Sequence, residues 1–295
     1  MTPQVYLIVL NWNRRDDTLR CLGSLLAMDY ADFHVLLVDN ASTDDTVEAV
    51  RAAFPQVEIL VNPENLGFSG GMNRGLEVAL ARQVPYVLLL NNDIVVEPDM
   101  LARLVRTAQS DERIGVVSPL IYYPGRRRVW FAGGYRRRFW PGRSLPGHGL
   151  RDRARYHRRR EVDYATGCAM LVRTEVLRQV GLFEAKHFMY HEDFDLSERI
   201  CRAGWRIVLE PAAQMEHYAS ISTGGEYSPE KWFYLARYLV PFYRRYYRWP
   251  RLSLALYTVW VVVRELLKGN ARVIPPYLRG TVVGWREQFA DKGVT

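Results

Sequence analysis

Near-continuous apolar runs recur through the first third of the chain, at residues 4–11, 33–38, 58–61 and 86–90. A stretch of aliphatic residues with no polar break reads as a strand covered on both faces. Between the runs the period changes. Leu19, Leu22, Leu25 and Leu26 fall at three- and four-residue steps and predict a helix. Ser42, Thr43 and the acids before Thr46 can cap a second helix over 47–53, and a third runs from the glycine pair at 70 and 71 to residue 82. Farther along, 100–108 reads as helix, 115–119 and 164–172 as strands, and Thr174 caps a short helix before Gly181. A helix starts close to Asp193, and 206–210 is a last strand. Strands alternating with helices predict an α/β fold on a doubly wound, mostly parallel sheet.

The strand ends carry the candidate chemistry. The run at 86–90 stops abruptly at Asn91, Asn92 and Asp93. In open α/β sheets ligands bind beyond the carboxyl ends of the strands, where Asp93 can offer oxygen to a hard cation. Asp and Asn also suit a plain turn or helix cap. Gly70 and Gly71 let a backbone approach a ligand and direct amides at an anion, or simply mark a loop-to-helix transition. The spacing matches neither the P-loop nor the dinucleotide glycine fingerprint. His191, Glu192, Asp193 and Asp195 crowd a predicted helix start, where a carboxylate is stabilised as an anion and can accept a proton. An ordinary acidic first turn looks the same. His217 can complete a metal site with Asp93, or be structural.

Composition adds a sign and a compartment. Forty Lys and Arg against 32 Asp and Glu leave a formal charge of +8 across 295 residues, which implies attraction to anions. Three scattered cysteines make no disulfide framework, and the start has no signal-peptide pattern, so cytoplasmic residence is expected. The segment 122–161 interleaves Arg126 to Arg128, Arg136 to Arg138 and Arg158 to Arg160 with Trp130, Phe131, Phe139 and Trp140. It suits pyrophosphate or anionic lipid, a solvated excursion, or single-stranded nucleic acid, although no recognised nucleic-acid module surrounds it. The apolar run 252–263 is too short to cross a bilayer and predicts an interfacial or buried helix. The tail from 232 to 285 mixes Tyr, Trp and Arg with aliphatics, which suits a membrane headgroup layer, or a helical cap on the catalytic domain or on a second subunit.

An ordered set of motifs resembles family 2 of the inverting nucleotide-sugar glycosyltransferases, within it the rhamnosyltransferase-like branch. The matching pieces are Val9-Leu10-Asn11-Trp12-Asn13, Val38-Asp39-Asn40-Ala41-Ser42, Asn65-Leu66-Gly67-Phe68-Ser69-Gly70-Gly71-Met72-Asn73, Leu90-Asn91-Asn92-Asp93, Thr166-Gly167 and His191-Glu192-Asp193-Phe194-Asp195. The resemblance implies a GT-A fold with a catalytic domain over 1–225, comprising a nucleotide-sugar half over 1–120 and an acceptor half over 121–225. A helical, aromatic and basic extension would occupy 226–295.

It also implies roles. Asp39 would take a hydrogen bond from the donor's pyrimidine, and Leu10, Asn11, Trp12 and Arg14 would line the nucleotide-sugar pocket. Gly70, Gly71 and Asn73 would lie along the nucleotide, with Asn91 and Asn92 beside it. Asp93 would hold Mg²⁺ or Mn²⁺ with His217, and Asp193 would be the general base, with Glu192 its nearest rival. Asn91 stands where the family's Asp-x-Asp often has its first acid, which leaves the metal fewer carboxylates. The expected reaction is inverting transfer of a sugar, rhamnose by the branch, from a dTDP- or UDP-sugar to a lipid-linked or cell-envelope glycan, peripheral to the inner face of the cell membrane. Two rivals remain: a basic nucleic-acid-binding α/β protein and a catalytically idle scaffold relative. Whether copies associate is left open.

Overall fold

The computed structural model describes residues 2–136, 143–218 and 227–287. These divide between two compact units, one of 2–136, 144–185 and 192–218, the other of 143, 186–191 and 227–287. Arg137, Arg138, Phe139 and Trp140 of the arginine-aromatic segment lie outside the described residues.

The larger unit is organised on one sheet. Its strands are β1 (Val5–Asn11), β2 (Phe33–Asp39), β3 (Glu58–Val61), β4 (Tyr86–Asn91), β5 (Ile94–Val96), β6 (Ile114–Tyr122), β7 (Val129–Phe131), β8 (Arg160–Val162), β9 (Ala169–Arg173) and β10 (Arg206–His217). They run in the order β8-β10-β6-β9-β4-β1-β2-β3, with β5 on β10 and β7 on β6. The β4-β1-β2-β3 half is wholly parallel, as is β6 with β10, while β9 lies antiparallel between β4 and β6.

The continuous apolar runs are explained by cover on both faces. Leu7, Val9, Leu37 and Leu88 face one layer with Leu22 and Leu25 of α1 (Arg15–Leu26) and Leu104 of α4 (Met100–Gln109). Ile8, Leu36 and Leu89 face the other, with Met72 and Leu76 of α3 (Gly67–Ala81) and Leu196 of α6 (Glu192–Arg202). Helix α2 (Thr46–Ala53) follows β2, and α5 (Thr174–Val180) follows β9. Burial on this scale, about 25 cal/mol for each Å² of apolar surface, is what holds the sheet between its helices.

Three boundaries differ from expectation. Helix α3 begins at Gly67, so Gly70 and Gly71 lie inside its first turns. The strand expected from 164 begins at Ala169: the Tyr164 backbone pairs with Gly134 in an isolated bridge, and the Gly167 amide turns to Asp193. Strand β10 runs past Glu210 through an irregularity to His217, carried by its pairing with β5 and β6.

Much of the arginine segment is folded into the unit. Arg126 pairs with Glu97 and with Glu216, the latter at 3.2 Å, Arg159 pairs with Glu210, and Arg136 lies 3.1 Å from Glu198. The segment is therefore in good part a laced excursion from the sheet.

In the smaller unit Ser228 caps α7 (Pro229–Tyr246), accepting from the Lys231 amide at 3.2 Å, and α8 (Pro250–Leu267) and α9 (Ile274–Arg286) follow. Trp232, Ala236, Val261, Val273 and Tyr277 form its core. Gly280 and Gly284 lie one turn apart on α9, where a Cβ would come within 2.2 Å of the Phe233 carbonyl oxygen and 2.3 Å of the Arg237 carbonyl oxygen. Only glycines allow so close a helix contact. Among the described residues no helix is long and apolar enough to cross a membrane.

Gly75 sets the fit of α3 on the sheet: a Cβ there would meet Ile8 Cγ2 at 2.4 Å and Val38 Cγ2 at 3.0 Å. Gly75→Val should lower stability by about 2–3 kcal/mol through overpacking of a buried face. The denaturant midpoint measures it, and an unchanged midpoint would show that α3 shifts freely.

Candidate active site

The register of the parallel strands lines up their polar ends. Asn11 pairs with Asp39 across β1 and β2, and Leu10 pairs with Asn91 across β1 and β4. Asn11 is fully buried and works as a hub. Its Nδ2 donates to Asp39 Oδ1 at 2.6 Å and to Ser42 Oγ at 3.0 Å. Its Oδ1 accepts from Thr18 Oγ1 at 2.7 Å and from Asn92 Nδ2 at 2.8 Å. Asp39, 1% exposed, also accepts from the Ser42 hydroxyl at 2.5 Å and from the Ser42 amide at 2.9 Å. Buried polar groups need such partners, and here one amide ties three strand ends and α1 together.

Next to this network, the antiparallel pairing of β5 with β10 sets His217 opposite Ile94, and the Tyr218 amide donates to the Asp93 carbonyl at 2.8 Å. His217 Nε2 lies 3.0 Å from Asp93 Oδ1. Burial pushes the Asp93 carboxyl up, but the His217 ring, the residue's own backbone amide and the Asn91 amide together leave it below the usual carboxylate range. The contact is an ion-pair approach rather than a well-aimed hydrogen bond, and His217 Nδ1, on the other side of the ring, is buried without a hydrogen bond. Trp130 stands edge-on against His217 with centroids 4.3 Å apart and closes that side.

The third part is the start of α6. Asp193 Oδ2 accepts from Tyr164 Oη at 2.6 Å and from the Gly167 amide at 3.0 Å, and Oδ1 accepts from the Phe194 amide at 2.8 Å. Gly167 makes the approach possible, since a Cβ would meet Phe68 Cζ at 2.8 Å and Asp193 Cβ at 3.6 Å. The loop is fastened to the strand end by the Asn91 amide, which donates to the Cys168 carbonyl at 3.1 Å. Glu192 beside it is buried. Burial, then the neighbouring Asp193 charge, pushes its carboxyl well above the usual range, and its Oε2 is buried without a partner. Burial beside a like charge therefore disfavours its ionised form.

Residues 6–181 match the glycosyl transferase family 2 profile. The chain belongs to that family. It is 30% identical over 299 residues to the N-acetylglucosaminyl-diphospho-decaprenol L-rhamnosyltransferase of Mycobacterium tuberculosis, covering 92% of this chain and 97% of the relative. A low-salt glycan biosynthesis hexosyltransferase of Haloferax volcanii is 24% identical over 207 residues, covering 68% of this chain and 63% of its own. Among solved structures, a mannosyltransferase from Pyrobaculum calidifontis in complex with GDP-Man and Mn²⁺ superposes with a TM-score of 0.59 at 18% identity, over 97% of this chain and 85% of that one. GalNAc-T7 with UDP, GalNAc and Mn²⁺ gives 0.61 at 16% identity, over 80% and 47%. The fold is GT-A.

Within this family 2 fold the sequence-derived residues do not all keep the expected surroundings. Asn11, Asp39, Asn92, Asp93 and His217 gather at the carboxyl edge, and Trp12 is exposed there. Asn73 is turned away: its amide donates to the Phe183 carbonyl at 2.9 Å and accepts from the Phe183 amide at 3.0 Å, clamping α3 to the chain after α5. Arg14 grips Asp17 at 2.6 Å. Gly71 is where α3 packs on the sheet, since a Cβ would meet Leu10 Cδ1 at 2.5 Å and the Asn40 amide at 2.7 Å. Gly70 faces Leu66, its would-be Cβ 2.8 Å from Leu66 Cβ. Close packing of α3 on the sheet accounts for Gly71. Missed from the sequence were Thr18, Tyr164 and Trp130. Thr18 is a polar position on the inner side of α1 and was open to notice; Tyr164 and Trp130 reach the site only through tertiary pairing.

A carboxylate oxygen and an imidazole nitrogen brought together at this edge are donors of the kind a divalent cation takes. Among the described residues no third His, Cys, Asp or Glu joins them.

Because the folded Glu192 carboxyl sits above its ordinary value of 4.5, its contribution to stability is complete below that value and is lost as pH rises toward the folded value. Glu192→Gln removes this dependence. The variant should gain on the wild type by up to about 1.4 kcal/mol for each pH unit above that range. Denaturation at mildly acidic and mildly alkaline pH measures it, and parallel pH profiles would mean that Glu192 is charged in the fold.

Proposed function

We propose that this chain is an inverting hexosyltransferase that moves a sugar, rhamnose in the reading we favour, from a dTDP- or UDP-sugar to a hydroxyl of a lipid-linked glycan. The mycobacterial relative is named for rhamnosyl transfer to a decaprenyl-diphosphate-linked N-acetylglucosamine, and its likeness along nearly the whole chain supports acceptor class and sugar. The observation that carries the reading is the Asp193 carboxylate at the start of α6, oriented by the Tyr164–Gly167 loop that is fastened to the strand end leading to Asp93.

In this reading residues 1–225 do the catalysis and 226–295 form a helical extension. Asp39 Oδ2, which accepts only from the Ser42 amide among its hydrogen bonds here, keeps a lone pair for the pyrimidine N–H. Asn11 and Asn92 hold it in place, Leu10 and Trp12 border the base, and Asn91 tunes Asp93. Asp93 and His217 would hold Mg²⁺ or Mn²⁺, which when bound would supply positive charge against that developing on the departing nucleoside diphosphate. The acceptor oxygen attacks the anomeric carbon as the bond to the diphosphate oxygen breaks, and the hydroxyl proton passes to Asp193. One displacement inverts the centre without a covalent enzyme intermediate. The enzyme works at the inner face of the membrane, where such acceptors are held.

Transfer from dTDP-rhamnose to a polyprenyl-diphosphate-linked N-acetylglucosamine, with the product's anomeric configuration read by NMR, is the direct test. Asp193→Asn should lower kcat by roughly 10²–10⁴ while leaving nucleotide affinity intact, as expected for loss of a general base. Glu192→Gln should keep most of the activity. A fully active Asp193→Asn protein, or a product of retained configuration, would overturn the assignment.

A further inference from the structure

The smaller unit carries a surface that no catalytic role uses. On α8, Leu252, Leu256, Val259, Val263, Leu266 and Leu267 recur at three- and four-residue steps and are all exposed, Val259 at 62% and Leu267 at 85%. At 100° per residue they form a single stripe about 100° wide, the face of an amphipathic helix. The opposite side of α8 is spent on the unit's own core, through Leu254 and Val261. No charged residue interrupts the stripe between Arg251 and Arg264.

At the N-terminal end of the stripe lies a basin of about 940 Å³ lined by Arg244, Arg248, Trp249, Arg251, Leu252 and Trp285, with Pro250 between them. Three arginines and no carboxylate line it. Arg248 lies over the Trp249 ring at 5.4 Å and Arg244 over Trp285 at 5.9 Å, so the cations are held against aromatic faces. Among the described residues no ion pair to Arg248 or Arg251 is present, in contrast to Arg126 and Arg159 in the larger unit. Exposed leucines and valines continuing into a cationic basin flanked by tryptophans match an amphiphile with an anionic head: apolar side chains for acyl chains, tryptophan for the boundary, arginine for phosphate. A second copy of the chain is disfavoured, because stripe-to-stripe pairing would cover the leucines and valines but leave the three arginines of the basin without an anionic partner.

We propose that α8 and this basin form a membrane-docking face that lies on the headgroup layer of an anionic phospholipid bilayer. This deepens the peripheral placement proposed above by naming the residues that make it. The helix lies in the plane of the interface, and its stripe enters the acyl boundary while Arg244, Arg248 and Arg251 meet lipid phosphates.

The test is flotation of the full-length protein with phosphatidylcholine vesicles that contain or lack phosphatidylglycerol. The wild type should float with the anionic vesicles and release as salt rises. Val259→Glu, a change at an exposed position, should abolish flotation. Arg248→Glu with Arg251→Glu should weaken partitioning to anionic vesicles by at least fivefold for each arginine removed, on the order of the per-residue electrostatic contribution. Circular dichroism and nucleotide titration on each variant separate loss of docking from misfolding or from failure of the donor assignment. Wild-type protein that does not float, variants that float equally well, or a concentration-dependent dimer that Val259→Glu dissolves would each overturn the proposal, the last by showing that a second copy covers the stripe.

Discussion

One buried amide holds the working edge of this fold together. Asn11 has no exposure to water, and every polar group it can offer is met by a residue from a different element: Asp39 and Ser42 after β2, Thr18 on α1, Asn92 after β4. A buried polar side chain left short of partners costs on the order of 1–3 kcal/mol, so the set is stable only in the arrangement that satisfies all of it at once. That requirement fixes the ends of three parallel strands relative to one another. It also delivers Asn91 and Asp93, next in line along the chain, to the same edge.

From that edge the remaining parts are placed by two backbone pairings. β5 on β10 brings His217 to Asp93, although the two are far apart in sequence. The Cys168 carbonyl, held by the Asn91 amide, brings Gly167 and with it the Asp193 carboxylate. Neighbouring acids are sorted by surroundings: Asp193 meets two amides and a tyrosine hydroxyl, whereas Glu192 meets apolar packing and a like charge. Adjacent carboxyls in such different settings differ in how readily each carries charge.

The parallel half of the sheet was legible because strands covered on both faces leave continuous aliphatic runs, and the acids and amides at their ends stand out against them. Asp93, His217 and Asp193 were legible as residue types at motif spacing, with the pairing of the first two an expectation that the β5–β10 register makes concrete. What the sequence concealed was who answers whom. Asn73 reads as a ligand-facing amide after a glycine pair, yet Phe183, more than a hundred positions on, takes both ends of it. Gly70 and Gly71 read as a loop before a helix, yet α3 starts three residues earlier at Gly67, and Gly71 lies where the helix packs on Leu10 and Asn40. The arginine segment looks like one basic patch, but Arg126, Arg136 and Arg159 answer acids within the unit. Charge counts along a chain do not say which charges are already compensated.

The central claim is that the carboxyl edge of the sheet is a metal-dependent site for a nucleoside diphosphate. It is tested most directly by calorimetric titration of the full-length protein with UDP and dTDP, with and without Mn²⁺, on the wild type and on Asp93→Ala. Binding that requires Mn²⁺ and disappears with Asp93→Ala is the expected result. Equal binding with and without the metal, or an Asp93→Ala protein that binds as the wild type does, would contradict it.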